Sequence, residues 1–370
     1  MPKKRNLAIL SPSQNAYSET FIQAHKNFIN ANIKYYFKGI IPQNLEGHGN
    51  INPIIKKGVN KLISHLKKDV LLAEKTALKN SFKKEKIEVV LAEYGNLASE
   101  VVPVCKELNL PLIAHFHGFD ASVYDVLKEY NNYNDLFEYA TKIIAVSEVM
   151  EKQLLSIGCP REKLILNTYG PNEEFEKITP TFEKEDFIAV GRFTDKKAPY
   201  YLILAFIEVV KKFPNAKLIL AGDGYLKNTC LNLIKHFNLS KNIELPGIIT
   251  PEQFKNYLAT SRAFVQHSIT AENGDMEGTP LAILESSIAG IPVISTNHAG
   301  IPDVIIHNKT GLLVNEHDVQ GMSNYMLELL ENKDKARALG EAGKKNIQEN
   351  FNMSQHIEKL NQIIYKAAEK

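Results

Sequence analysis

A chain of 370 residues is longer than one hydrophobic core usually supports, so two domains are expected. Hydrophobic residues make up 44% and charged residues 23%, the balance of a soluble globular protein and not of a fibrous or membrane-spanning one. The net charge of +2 is unevenly spread: residues 1–172 hold 22 Lys or Arg against 17 Asp or Glu, leaving 22 against 25 for the rest. Cys105, Cys159 and Cys230 are odd in number and far apart, with no metal spacing or disulfide framework, which implies a reducing compartment. The first ten residues have a basic start and a short apolar run broken by Ser11 and Pro12, neither a signal peptide nor a membrane span. A cytoplasmic location is expected.

Residues 7–10 read as a short apolar strand. The polar loop after it lies where a doubly wound sheet opens its ligand crevice, and a helix then runs from Ser18 towards Ile29. In residues 54–84, Ile55, Val59, Leu62, Leu66, Val70, Ala73 and Ala77 recur at helical spacing among many lysines. That stretch has two readings. One is a core-packed helix with a solvated lysine face; the other is peripheral contact of residues 54–86 with an anionic membrane on its inner face. Residues 87–92 are a nearly continuous apolar strand, followed by Glu93, Tyr94, Gly95 and Asn96. A helix over 101–108 and a strand over 111–114 come next, and His115, Phe116, His117, Gly118, Phe119 and Asp120 follow directly. His117, at a strand's C-terminal end with a glycine behind it, is a site candidate, and His115 reads as support. A strand over 143–146, a helix capped by Ser147 and Glu148, and a strand over 164–166 complete this half. The boundary is placed in the polar run 172–185.

Residues 187–190 begin a second α/β domain. Arg192 and Lys197 fall between this strand and a helix opened by Pro199, the place for phosphate contacts. The strand 218–221 ends in Gly222-Asp223-Gly224, which lacks a third glycine and comes too late for a dinucleotide fingerprint. Strands over 243–245 and 263–266 flank a helix over 251–258. The segment DMEGTPLAILESSIAGIPVISTN, 275–297, is the most informative in the chain. Thr279 and Pro280 read as a helix start, Leu281, Leu284 and Ile288 as its apolar stripe, and Gly290 and Pro292 as its stop. Glu277 precedes the helix and Glu285 lies in its second turn, about 12 Å apart at a helical rise. Such carboxylates suit a ligand with a hydroxylated group at each end and an anionic middle facing the N–H groups of Leu281 and Ala282. A nucleotide sugar has that layout. A last strand over 311–314 and helices over 322–330, 333–348 and 351–370 follow.

Glu277, Gly278, Pro280, Glu285, Gly290, Pro292 and Val293 together resemble the signature of retaining glycosyltransferases of family 4 (glycosyl transferases group 1). The resemblance implies the α/β GT-B fold: two Rossmann-like doubly wound domains facing a central cleft. Residues 1–175 would form the acceptor-side domain and 185–350 the nucleotide-sugar side. Residues 351–370 would be a C-terminal helix crossing back to the first domain. Glu277 would then meet the donor sugar and Glu285 the ribose hydroxyls. The string Gly191-Arg192…Lys197-Ala198 is similar to the family's Gly-Arg…Lys-Gly, whose basic pair holds the diphosphate, with Ala198 where glycine is usual. His117 matches the histidine of the family's His-Gly-x-Asp string, which approaches the donor sugar. The implied catalytic residues are therefore His117 and Glu277. Arg192, Lys197, Gly278, Thr279, Pro280, Leu281 and Glu285 would bind the donor, with the nucleobase near Gly247 and Ile248. The string Ser18-Glu19-Thr20-Phe21-Ile22 resembles a family variant without the usual glycine pair, so Ser18 reads as an acceptor contact or as a helix cap.

The expected reaction moves a hexosyl group from a UDP- or GDP-sugar to a glycan or lipid-linked acceptor hydroxyl, with retention. It would serve polysaccharide, lipopolysaccharide or other glycoconjugate biosynthesis. No cofactor, metal or nucleic-acid partner is expected. A sugar-nucleotide 2-epimerase of the same fold would instead release UDP and an epimerised sugar without an acceptor. An NAD-dependent oxidoreductase would need a glycine fingerprint near residue 10, and a two-lobed sugar-binding protein would need an export signal.

Overall fold

The computed structural model describes residues 4–17, 19–52 and 71–369. Ser18 and residues 53–70, most of the lysine-rich stretch, lie outside them. The chain divides into two compact units, Met1–Asn167 with His356–Lys370, and Thr168–Gln355. The division falls ahead of the run 172–185. Asn172 caps the turn Glu173–Lys177, and Phe175 of that turn buries its ring 5.4 Å from Phe254, so these residues belong to the second unit.

The first unit is built on β1 (Asn6–Leu10), β2 (Asn32–Phe37), β3 (Asn44–Leu45), β4 (Gly49–Asn50), β5 (Val89–Glu93), β6 (Leu112–His115), β7 (Lys142–Ala145) and β8 (Leu164–Leu166). Their order in the sheet is β4-β3-β2-β1-β5-β6-β7-β8. All pairs from β2 to β8 are parallel, and only the β2–β3 and β3–β4 edge is antiparallel. β5 and β6 are buried along their whole length, as parallel strands covered on both faces must be. β1 lies between β2 and β5, so the order reverses there and the crevice opens at Ser11 and Tyr94. β2 was not expected, since its core is carried by tyrosines: Tyr36 is fully buried, its hydroxyl 3.0 Å from Ser81 Oγ. Three short helices between Phe119 and Tyr139 were also unassigned.

In the lysine-rich stretch, the described helix is Leu72–Glu85. It buries Leu78 and Phe82 and leaves the expected Ala73 and Ala77 only half-buried, so the core stripe is offset from the one read in the sequence. Lys75 and Lys79 pair with Glu100 and Glu107 of the helix Gly95–Leu108, at 3.3 and 2.6 Å. The C-terminal residues pack within this unit: Asn30 N–H donates to Asn361 Oδ1 and Tyr365 Oη donates to Asn30 O.

The second unit contains β9 (Asp186–Val190), β10 (Lys217–Ala221), β11 (Ile243–Gly247), β12 (Ala263–Val265), β13 (Val293–Thr296) and β14 (Gly311–Val314). All are parallel, in the order β11-β10-β9-β12-β13-β14. The order reverses between β9 and β12, which sets this unit's crevice at Gly191 and Gln266. Among the described residues no helix is long and apolar enough to cross a membrane.

Arg262, just before β12, is buried, and its guanidinium donates to Leu329 O, Leu330 O and Phe182 O at 2.8–3.2 Å. It thereby satisfies carbonyls at the C-terminal end of the helix Val319–Glu331, where a cation is favoured. Arg262→Met removes the donor to three buried carbonyls and should destabilise the fold by about 3 kcal/mol. The measurement is a lower denaturant midpoint with an unchanged slope.

Candidate functional site

The second unit's site begins where β9 ends. Gly191 N–H donates to Ala221 O and Phe193 N–H to Asp223 O, which ties the 191–193 loop to the end of β10. The glycines of Gly222-Asp223-Gly224 permit the close approach at this junction. A Cβ on Gly222 would sit 1.8 Å from Gly191 O, and one on Gly224 would sit 2.4 Å from Phe193 O. After the turn Asp195–Lys197, Ala198 takes φ +36° before the helix Pro199–Lys212. This is a left-handed position, which explains why glycine would be the easier residue there.

That turn aims two adjacent lysines in different directions. Lys196 is buried, and its Nζ donates to Asp275 Oδ1 at 2.9 Å and Met276 O at 3.0 Å. Lys197 Nζ lies 3.1 Å from Glu277 Oε1 and 3.4 Å from Gln266 Oε1. Burial pushes the Glu277 carboxyl up, but Lys197, Lys196 and His298 outweigh it and hold the group below the usual carboxylate range. Lys197 is pushed down, first by burial and then by Lys196 and Arg192, against the pull of Glu277. The local field is therefore an excess of positive charge around one ionised glutamate. Exposed Arg192 lines a pocket with Gly191, Phe193, Lys197, Val265 and Gln266, at the point where the strand order reverses.

The backbone of Glu277 is held separately. Its N–H donates to His298 Nε2 at 3.2 Å, and His298 Nδ1 lies 2.7 Å from Glu316 Oε1. Glu316 also accepts from Thr270 N–H at 2.9 Å. Lys196, His298 and Glu316 were not foreseen as site residues. No periodicity or spacing marks them, because their role depends on loops distant in sequence.

The helix itself differs from its sequence reading. It spans Leu281–Ile288, with Pro280 at the cap position, so neither Thr279 nor any other hydroxyl occupies the cap. Glu277 lies outside the helix, in irregular backbone, and the helical rise does not measure its distance to Glu285. Gly278, Thr279 and Pro280 are buried, and Leu281 is half-buried. Gly247, at φ +79°, accepts from Gly222 N–H at 2.8 Å, and Ile248 beside it is 52% exposed. The expected base-binding pair is thus joined to the Gly222 loop.

In the first unit, His117 follows β6. Its Nε2 lies 2.8 Å from Glu93 Oε2, and its ring is 4.5 Å from Phe21, 4.6 Å from Tyr94 and 4.4 Å from His115. Asp120 positions the loop by accepting from the N–H groups of Gly95, His117 and Gly118 at 2.8–3.0 Å. His25, Glu93 and His115 have ligand atoms within 4.8 Å of one another, close enough to hold a metal ion. The same atoms make the short contacts of a hydrogen-bonded cluster, with His25 Nδ1 2.8 Å from Glu93 Oε1.

Glu285 is half-buried, and burial alone pushes its carboxyl up to about 8. Its unfolded value is near 4.5, so between pH 4.5 and 8 the folded state holds the extra proton and stability falls as pH rises. Above pH 8 the full penalty remains. Glu285→Gln should therefore gain little in Tm at pH 5 and progressively more towards pH 8.5, read in parallel melting curves of both proteins.

Two family models match this chain: Glycosyltransferase Family 4 over residues 46–166, and Glycosyl transferases group 1 over residues 171–346. The amylovoran biosynthesis glycosyltransferase AmsK of Erwinia amylovora is 30% identical over 71% of this chain and 65% of its own. The Escherichia coli protein named for colanic acid biosynthesis, WcaL, is 31% identical over 56% of this chain and 52% of its own. The chain thus spans between about half and two thirds of the length of these curated relatives. Among solved structures, Anabaena HepE with UDP and glucose superposes with a TM-score of 0.78 at 14% identity, covering 98% of this chain and 100% of that one. Sucrose-phosphate synthase from Thermosynechococcus elongatus gives 0.76 at 18% identity, over 98% and 99%. With its two parallel sheets the chain has the two-domain GT-B fold, and its halves match the Glycosyltransferase Family 4 and Glycosyl transferases group 1 models.

Proposed function

We propose that this protein transfers a hexosyl group from a nucleotide-diphosphate sugar to an acceptor hydroxyl, with retention, in the assembly of a polysaccharide or related glycoconjugate. The observation that carries the reading is the pairing of Lys197 with buried Glu277, set among Lys196 and Arg192 at the strand-order reversal of the second unit. Breaking a glycosidic bond to a diphosphate builds negative charge on the leaving phosphate. Arg192, Lys197 and the N-terminus of the helix at Leu281 supply fixed positive charge for it. Glu277, held ionised by its lysines, is suited to accept from sugar hydroxyls and to stabilise positive charge at the anomeric carbon. The family resemblance assigns Glu285 to the ribose and His117 to the donor sugar, and both belong to the same proposal. Relatives named for polysaccharide biosynthesis, and for GDP-mannose-dependent mannosyl transfer in Mycobacterium tuberculosis, support the reaction class. The HepE complexes with UDP and UDP-glucose support the donor class.

The test is a thermal-shift panel of UDP-, GDP- and ADP-sugars. At least one should raise Tm, and Arg192→Ala should abolish the shift. Glu277→Ala should cut transfer by roughly 10²-fold or more while nucleotide binding stays measurable. A panel with no stabilising nucleotide sugar would remove the proposal. Ribose hydroxyls donating into Glu285 favour its ionised form, so nucleotide binding at pH 7 should release a proton. Calorimetry in buffers of different ionisation enthalpy would detect it, and Glu285→Gln should abolish it.

A further inference from the structure

Glu93 is fully buried at the C-terminal end of β5, where the first unit's strand order reverses. A carboxylate in such a place needs donors on both oxygens. Oε1 lies 2.8 Å from His25 Nδ1, and Oε2 lies 2.8 Å from His117 Nε2 and 3.4 Å from His115 Nδ1. His25 is itself held from behind, its Nε2 2.9 Å from Nε2 of His356 on the C-terminal helix. Burial pushes the Glu93 carboxyl up, yet His25, His115 and His117 hold it well below the usual range. His117 is driven down to about 3, first by burial and then by His115, so its ring is neutral and carries a single N–H. Facing an ionised carboxylate at 2.8 Å, that N–H is on Nε2, and the lone pair is on Nδ1.

We propose that Glu93 is the positioning residue for His117: it clamps the Nε2–H tautomer and ring orientation, with His25 anchoring the opposite carboxylate oxygen. The logic is that of a carboxylate orienting a working imidazole from its far nitrogen. The proposal rests on the reading that His117 acts at the donor sugar. The Glu93 carboxylate accepts from two histidines at once, and an amide cannot. A glutamine here has one acceptor oxygen and one NH2 group, so it must donate to one of the two rings. Either His117 or His25 would then change tautomer.

The experiment uses the full chain with 15N-labelled histidine, and follows ring-nitrogen shifts in wild type, Glu93→Gln and His117→Ala. Steady-state release of nucleotide is measured from UDP-glucose or GDP-mannose, whichever stabilises the protein. Wild type should show His117 as the Nε2–H tautomer and His25 as a donor through Nδ1. In Glu93→Gln one of those assignments should switch, and kcat should fall roughly 10²-fold with the donor KM nearly unchanged, as expected for misplacing a reacting group. Wild-type His117 carrying its proton on Nδ1 would overturn the proposal, whether or not any variant folds. A folded Glu93→Gln protein with both tautomers unchanged, or with kcat within about threefold of wild type, would overturn it as well. If His117→Ala left kcat intact, the reading of His117 itself would fall. A crippled His117→Ala beside an active Glu93→Gln would sink the positioning role alone.

Discussion

The second unit is organised around keeping one glutamate ionised out of water. Removing a carboxylate from solvent costs several kcal/mol, and attraction to a partner repays this only when the geometry is good. Glu277 meets that condition through Lys197 at 3.1 Å, with Lys196 close enough to add to the field. Lys196 in turn fixes Asp275 and the carbonyl of Met276, and Ile269 N–H donates to the Lys196 carbonyl. The turn 195–197 therefore joins the end of β9 to the loop that carries Glu277. Deleting Lys197 would leave a buried, poorly compensated charge, so this pair constrains the backbone as much as it prepares a chemistry. The close approaches at Gly222 and Gly224 follow from the same requirement, since the 191–193 loop must lie tight on the neighbouring strand end.

The first unit repeats the arrangement with different chemistry. Glu93 sits fully buried at a strand end where the order reverses and, like Glu277, is ringed by basic side chains. Parallel strands explain why. Their ladders satisfy the backbone up to the C-terminal ends, and beyond that point the chain is free to place side chains where two crossovers diverge. The difference lies in the partners. Lysine ammonium groups lie beside Glu277, which suits an anionic ligand. Histidines around Glu93 present ring N–H groups to its two oxygens, which suits fixing a tautomer.

The strands and most long helices were legible because the parallel core writes itself as short apolar runs: β8 and β14 lie where those runs predict. β2 was not, since Tyr35 and Tyr36 reach the core with their hydroxyls bonded and do not read as apolar. Of the proposed site, Arg192 and Lys197 were read from their place between a strand end and a helix start, Glu277 and Glu285 from their spacing about one helix, and His117 from its strand end. Lys196 was not, because two adjacent lysines in a turn cannot be told apart until φ/ψ decides which one is buried. His298 and Glu316 were invisible for a related reason, and Glu93, though read at a strand end, was given no partner. Each is defined by a partner in another loop or strand, and spacing along the chain does not encode that distance. The helix cap failed locally: Pro280 suits the first helical position, yet in the fold its ψ of 117° makes it the cap.

Glu277 and Glu285 show how a single segment can carry two different acids. They share a residue type and lie eight positions apart, but lysines lie beside the first, while among the described residues burial alone shifts the second. The first is held below the usual carboxylate range and the second is pushed up to about 8. Environments that separate two carboxyls in this way assign them different work. An ionised Glu277 can only accept hydrogen bonds and oppose positive charge. Glu285 near neutrality can still lose its proton, and the ribose hydroxyls proposed to donate to it would favour that loss. Among the described residues no cation shifts Glu285; a lysine beside it would fix the charge before any ligand came and would compete with hydroxyl donors for the same oxygens.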